Sequence, residues 1–300
     1  MSPTAMLSDP VRIDNDGLQV RLERAFVDAC LLDVMALKPG NVGVHADGHG
    51  MEVLDFVRSA RAAAPPIAGE APCVGERIYR AVAATRAAVG TNTNLGIVLL
   101  AAPVAHAARQ AATRLCQRSL SDLLGQVLAG LTVADAELAF EAICLANPGG
   151  LGDSARHDVH QPARVTLLEA MREAADRDSI ARQYVTGYAD VMQIGLPRLA
   201  AARARGRDRR WAATEVFLGF LSSVPDTHVV RKFGWAEAEA LREAARAQAE
   251  AAGQVSDSRA LLPAWREWDA ALKARGANPG TSADLTVATL FWSALLEPDW

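Results

Sequence analysis

Leu22-Glu23-Arg24-Ala25-Phe26-Val27-Asp28-Ala29-Cys30-Leu31-Leu32-Asp33-Val34 decides the fold class. Leu22, Phe26, Ala29, Cys30 and Val34 recur at helical spacing, while Glu23, Arg24 and Asp28 fall on other faces. The helix should stop near Lys38-Pro39-Gly40, where proline and glycine follow one another. The same period continues through Ile78, Val82 and Thr85 up to Gly90, and a further helix begins at Leu95. Ser121-Asp122 is expected to open a helix closed by Gly130, and Thr132-Val133-Ala134-Asp135 to cap the next one. Thr166 to Ala175, Ile180 to Ile194, Trp211 to Leu221, Ala236 to Ala251 and Ser282 to Leu296 also read as helices. No series of alternating strands interrupts them, so the expected fold is all-α, a multi-helix bundle with a loop-built site at one end.

Composition supports a large core. Of the 300 residues, 50% are apolar and 22% charged, which is a globular balance. Residues 1–17 are expected to form a flexible N-terminal segment and residues 18–300 a single all-helical domain. The formal net charge of −4 excludes a protein that coats nucleic acid, and an anionic ligand would need a local positive pocket. Ala87 to Ala108 lacks charged residues, but Thr91-Asn92-Thr93-Asn94 and Pro103 leave too short an apolar run for a bilayer. No secretory signal is visible. Cys30, Cys73, Cys116 and Cys144 lack the close spacing of zinc or redox motifs, which points to free thiols in the cytoplasm.

Function is concentrated in four polar, glycine-rich clusters at expected helix ends. They are Lys38-Pro39-Gly40-Asn41, Gly90-Thr91-Asn92-Thr93-Asn94-Leu95-Gly96, Pro225-Asp226-Thr227-His228 and Asn278-Pro279-Gly280-Thr281-Ser282-Ala283-Asp284. Backbone donors, hydroxyls and carboxylates at such ends can converge on a phosphorylated ligand. A fifth segment, Gly149 to His160, offers His157, Asp158 and His160 as base, carboxylate and metal ligands, though no fourth ligand completes a zinc site. His45, Asp47 and His49 share a loop that could join the site. The basic run Arg203 to Arg210 reads as a solvated helix end. Ser154, Ser222 and Ser223 have no nucleophile elbow, and Gly149-Gly150-Leu151-Gly152 lacks the lysine of a phosphate loop.

In order, these clusters resemble the triphosphoribosyl-dephospho-CoA synthase family. Its KPG loop is similar to Lys38-Pro39-Gly40, and its Gly-x-Asn-Thr-His-Lys-Gly segment to Gly90 to Gly96. Its Asp-Thr-Asn followed by Arg is similar to Asp226-Thr227-His228 and Arg231, and its Pro-Gly-Gly-Ser-Ala-Asp-Leu to Pro279 through Leu285. The chain departs at Asn94-Leu95, where the family pattern has His-Lys, and only in part matches at Gly48-His49-Gly50-Met51. It resembles a divergent branch, akin to relatives in methanogens and methylotrophs.

The resemblance implies a transferase in which an acceptor hydroxyl, the ribose 2′-hydroxyl of dephospho-CoA, displaces adenine from ATP and retains the triphosphate. Such a displacement calls for a carboxylate, a base, a donor to the leaving purine and a phosphate clamp. Asp226, Asp158 and His157 are the expected catalytic groups. Lys38, Gly40, Asn41, Thr91, Asn92, Thr93, Arg231, Lys232 and Ser282 are expected to bind the nucleotide, with Mg²⁺ on Asp226, Asp158 and Asp284. Replacing Asp226 by Asn or Arg231 by Ala is expected to abolish turnover with little loss of folding. The rival readings are a related enzyme of methanopterin or methanofuran-type one-carbon cofactor synthesis and a non-catalytic helical nucleotide-binding protein. A homo-oligomer is compatible with all three.

Overall fold

The computed structural model describes residues 15–44, 52–111, 115–148, 157–255 and 257–297. Within them the chain is helical and carries no β-sheet. The first half contains α1 (Asn15–Met35), α2 (Val53–Ala68), α3 (Val74–Val89), α4 (Leu95–Arg109), α5 (Gln117–Ala129) and α6 (Val133–Ala146). The second half contains α7 (Leu167–Ala174), α8 (Ser179–Thr186), α9 (Leu196–Ala204), α10 (Arg209–Ser223) and α11 (Thr227–Phe233). It ends with α12 (Trp235–Gln254), α13 (Leu262–Ala274) and α14 (Gly280–Leu296). Residues 1–14 of the expected flexible segment lie outside the described residues, as do His45, Asp47, Gly48 to Met51 and Gly149 to Arg156. Asn15 to Gly17, expected in that segment, open α1 instead.

Helices α4 and α14 are apolar on nearly all sides and lie in the interior, which is where a helix with no polar face must go. Leu22, Phe26 and Cys30 of α1 face them, with Phe26 edge-on to Phe291. A second apolar cluster gathers Leu37, Val229, Leu241, Trp265 and Leu272. Helix α10 joins the two, with Ala212, Val216 and Phe220 in the first and Phe217, Leu218 and Leu221 in the second.

Proline inside the buried α4 requires compensation. Pro103 has no N–H to offer the carbonyl four residues earlier, and the Tyr184 hydroxyl donates to that Leu99 oxygen at 2.6 Å. Tyr188 adds a bond to the Leu100 oxygen at 2.7 Å. Both hydroxyls are buried, so the pair ties the α8 region to the interior helix. In α2, Pro65 and Pro66 lie in the last turn, whose free carbonyls the buried Arg77 answers by donating to the Ile67 and Gly69 oxygens. Burial lowers that guanidinium to about 10, with the neighbouring charges of Arg109 and Arg80 contributing.

Two helix boundaries and the setting of the basic run differ from expectation. Helix α5 starts at Gln117, capped by Cys116, ahead of the expected Ser121-Asp122. The single helix expected over Ile180 to Ile194 is broken at Gly187, which takes φ +63°, and resumes through a π-turn at Val191–Gly195. The basic run is less solvated than expected: Arg205 and Arg207 both pair with the buried Glu215, and Arg203 with Glu297 at 2.5 Å. Thr132 and Asp135 form the expected reciprocal cap of α6. No helix among the described residues is long and apolar enough to cross a membrane.

Candidate active site

A cavity of about 870 Å³ opens where the ends of α1, α3, α4, α6, α8, α11 and α14 converge. It brings together Asn41, Thr91, Asn92, Thr93, His157, Asp158, Arg231, Lys232 and Asp284, all expected at the site from distant parts of the chain. Lys38, Gly40, Asp226 and Ser282 do not line it.

Those four residues support the cavity from behind. Lys38 is fully buried and donates to Asp33 and, at 2.6 Å, to the Asn41 side-chain oxygen, so its ammonium is committed to the protein rather than available as a phosphate clamp. Gly40 takes φ +84°, and its N–H donates to Asp269 Oδ1 at 2.8 Å. Asp226 is 2% exposed, and both of its oxygens are occupied. Oδ1 accepts from the His228 and Val229 N–H groups at 3.0 and 3.1 Å, capping α11. Oδ2 accepts from the N–H and Oγ of Ser282 at 2.7 and 2.8 Å, which ties α11 to the first turn of α14. The Asp226 geometry is that of a brace between two helix starts, not of the catalytic or metal-binding group expected from sequence.

The residues that do face the cavity divide by burial. Arg86, Arg177, Arg231 and Lys232 are exposed cations on its wall. Arg231 pairs with Asp178 at 2.9 Å, and Lys232 donates to the Gly276 carbonyl at 3.0 Å. Thr93 donates to Ser59 Oγ at 2.5 Å, Asn92 accepts from the Leu95 N–H at 3.1 Å, and Asn41 donates to Asn278 at 2.8 Å. Asp158 accepts from the His160 N–H at 2.8 Å, and His157 is held at φ +52° beside it.

At the inner end lie the buried Asp33 and Asn94 and the half-buried Asp284. Asp33 Oδ1 and Asn94 Nδ2 are shielded from solvent and have no hydrogen-bond partner. Burial raises the Asp33 carboxyl, with Lys38 opposing. Asp284 lies well above the ordinary carboxylate range, first through burial and then through the charges of Asp33 and Asp226, with Lys38 and Arg231 opposing. Its Oδ2 packs against the backbone of Gly96 in the first turn of α4, so closely that a Cβ at that position would stand 2.1 Å away. Sequence reading passed over Asp33 because it sits in a regular helical run. The mark that could have found it is a charged residue among Cys30, Leu32 and Val34, all core positions.

The ATP:dephospho-CoA triphosphoribosyl transferase family model, CitG, matches residues 19–300. The chain belongs to that family. A Klebsiella pneumoniae protein named 2-(5''-triphosphoribosyl)-3'-dephosphocoenzyme-A synthase is 34% identical over 106 residues, covering 35% of this chain and 37% of its own. A Pseudomonas fluorescens Pf-5 protein, "Probable 2-(5''-triphosphoribosyl)-3'-dephosphocoenzyme-A synthase", is 35% identical over 129 residues, 43% of this chain and 41% of that one. The chain thus spans less than half the length of these curated relatives. A crystal structure from Archaeoglobus fulgidus, named "putative triphosphoribosyl-dephospho-coA synthase", superposes with a TM-score of 0.61 at 25% identity, covering 80% of this chain and 98% of that one.

Magnesium was expected on Asp226, Asp158 and Asp284. Asp226 has no oxygen to spare, and no group of three His, Cys, Asp or Glu side chains suited to a metal converges among the described residues. A Mg²⁺ ion that travels on a triphosphate needs only one or two protein carboxylates, and Asp158, in the cavity wall, fits that smaller requirement.

Proposed function

We propose that this chain transfers the triphosphoribosyl group of ATP to an acceptor hydroxyl, dephospho-CoA being the first acceptor to test, with release of adenine, in cofactor biosynthesis. The observation that carries the reading is the two-ended cavity, with exposed Arg86, Arg177, Arg231 and Lys232 on its wall and the buried Asp33 and Asn94 beside the half-buried Asp284 within. A triphosphate suits the cationic wall, and a ribosyl centre developing positive charge suits the carboxyl end. Mg²⁺, when bound, would neutralise phosphate oxygens, with Asp158 as the carboxylate nearest that task. Thr91 and Asn92 orient the nucleotide, and His157 is the neighbouring base for the acceptor hydroxyl. Free Cys30, Cys73, Cys116 and Cys144 accord with work in the cytoplasm.

The test is mass spectrometry after incubation with ATP and dephospho-CoA, with and without Mg²⁺. Free adenine and a triphosphoribosyl adduct appearing together are expected, and their absence from folded protein that binds ATP would sink the dephospho-CoA assignment. A second reading rests on Leu95, which lines the cavity where the family pattern carries lysine. That change to a neutral wall favours a different acceptor, of the methanopterin or methanofuran-precursor kind in one-carbon metabolism. Adenine release with such precursors and not with dephospho-CoA would establish it. ATP binding without product from any acceptor would leave a nucleotide-binding protein.

A further inference from the structure

Two polar atoms at the inner end of the cavity are left open by side chains of residues that are each 5% exposed, Asp33 Oδ1 and Asn94 Nδ2. The other Asp33 oxygen is held by the Lys38 ammonium, which also donates to Asn41 Oδ1 at 2.6 Å. Asn94 stands at the N-cap of α4, where its backbone oxygen accepts from the Val98 N–H at 2.9 Å and its side chain makes no capping bond. Asp284 links the two, since it lies within electrostatic reach of Asp33 and packs on Gly96, two residues beyond Asn94. One open acceptor and one open donor therefore border the same carboxyl. Buried polar atoms of this kind cost the folded chain free energy, and a ligand that supplies the missing partners recovers it.

The chemistry of the pair narrows the ligand. Asp33 opposes an anion, while the Asn94 Nδ2 group and the Lys38 ammonium, both of them donors only, oppose a metal cation. What remains is a neutral group that carries a donor beside an acceptor. We infer that Asp33 and Asn94 read the amino edge of an adenine base, Asp33 Oδ1 accepting from the 6-amino group and Asn94 Nδ2 donating to a ring nitrogen next to it. The inference rests on the nucleotide-using transferase reading above and adds to it the residues that select the base. Adenine presents its 6-amino donor beside a ring-nitrogen acceptor, whereas a 6-oxo purine puts an acceptor in place of that donor. The cavity also carries Leu95, Ile97 and Leu99 of α4 and Phe140 of α6, apolar groups suited to the faces of a flat ring. A ribose hydroxyl also donates and accepts, but it has no flat face to lay against them. Asn94 stands where the family pattern has histidine, so the amide donor is this chain's own.

ATP and dephospho-CoA both carry this edge, and the test separates them. Isothermal titration without Mg²⁺ compares ATP with inosine triphosphate, and dephospho-CoA with its deaminated form, so no turnover is needed. The 6-oxo base sets its oxygen against Asp33 Oδ1, and binding should weaken at least ~10-fold in one pair. A loss in the ATP pair assigns the edge to the departing base, and a loss in the dephospho-CoA pair assigns it to the acceptor's base. Asn94→Ala should weaken the selected adenine ligand about 5- to 10-fold and leave inorganic tripolyphosphate, which has no base, unchanged. Its melting temperature should match or exceed that of the wild type, because the side chain removed makes no hydrogen bond among the described residues. Should that variant fold poorly, the two pairs on the wild type still decide. Equal affinity within both pairs, or wild-type affinity for both adenine ligands in Asn94→Ala, would overturn the proposal. The first of these together with weaker binding of 2′-deoxy-ATP would give the open atoms to a ribose hydroxyl instead. A protein that prefers ATP to inosine triphosphate yet releases no adenine with any acceptor keeps the base-reading pair and loses only the transferase reading.

Discussion

Asp226 and Asp284 bracket the start of α14 and differ in everything but chemistry. Asp226 holds four hydrogen bonds across two helix starts, whereas Asp284, two residues past the Ser282 that Asp226 binds, holds none among the described residues. The first is saturated and lies behind the cavity, and the second is unsaturated and lines it. A carboxylate whose lone pairs are all answered by the protein has little left for a substrate. One that the fold leaves unanswered on a cavity wall keeps its lone pairs for a ligand, a proton or water. Within one motif, the census of partners separates brace from candidate reagent where residue type does not.

The largest effect on the fold should come from removing the brace. Asp226→Ala strips the cap from α11 and leaves the Ser282 N–H and hydroxyl buried without an acceptor, at a cost of about 3–5 kcal/mol. Asp226→Asn is little better, since it turns a donor towards donors. Urea unfolding monitored by circular dichroism measures both. Either variant as stable as wild type yet inactive would restore the reading of Asp226 as a reagent and collapse the contrast with Asp284.

A smaller effect tests whether saturation matters away from the site. Tyr184→Phe removes the hydroxyl that answers the Leu99 carbonyl, whose helical donor Pro103 cannot supply. A buried carbonyl left bare costs about 1–3 kcal/mol. The same unfolding experiment with Pro103→Ala added sharpens the point, because the restored N–H should recover part of the loss. No recovery would show that the tyrosine acts through packing alone.

How far the sequence carried this picture depended on which interactions are local. The period of Leu22, Phe26, Cys30 and Val34 and the cap at Thr132 were legible because each rests on neighbours within a turn or two. The convergence of Asn92, Arg231 and Asp284 was legible through the polar clusters at helix ends and the family pattern, and Asp158 through the chemistry of its own segment, since no spacing encodes an approach between loops so far apart. What could not be read was the allocation of charge. Lys38 looks like a phosphate clamp until Asp33 is seen to occupy it, and Asp226 looks like a reagent until Ser282 is found against it. The break of the α8 helix at Gly187 was passed over because apolar residues continue at helical spacing on either side.

The smallest expected effect on the fold comes at the cationic wall and belongs to Arg231. Its pairing with Asp178 leaves the two side chains 33% and 29% exposed, so water screens the attraction and Arg231→Ala should cost less than about 1 kcal/mol of stability. Binding should respond differently. A guanidinium that can exchange one half-exposed carboxylate for a triphosphate loses little on leaving Asp178 and gains a more highly charged partner. Removing it should weaken binding of inorganic tripolyphosphate about 10-fold and reduce the salt dependence of that binding, while leaving Asp284→Asn protein the control with unaltered affinity. Isothermal titration at two salt concentrations measures both. If Arg231→Ala instead unfolds the chain as Asp226→Ala should, the wall is a brace as well, and the triphosphate must be sought at Arg86 and Arg177.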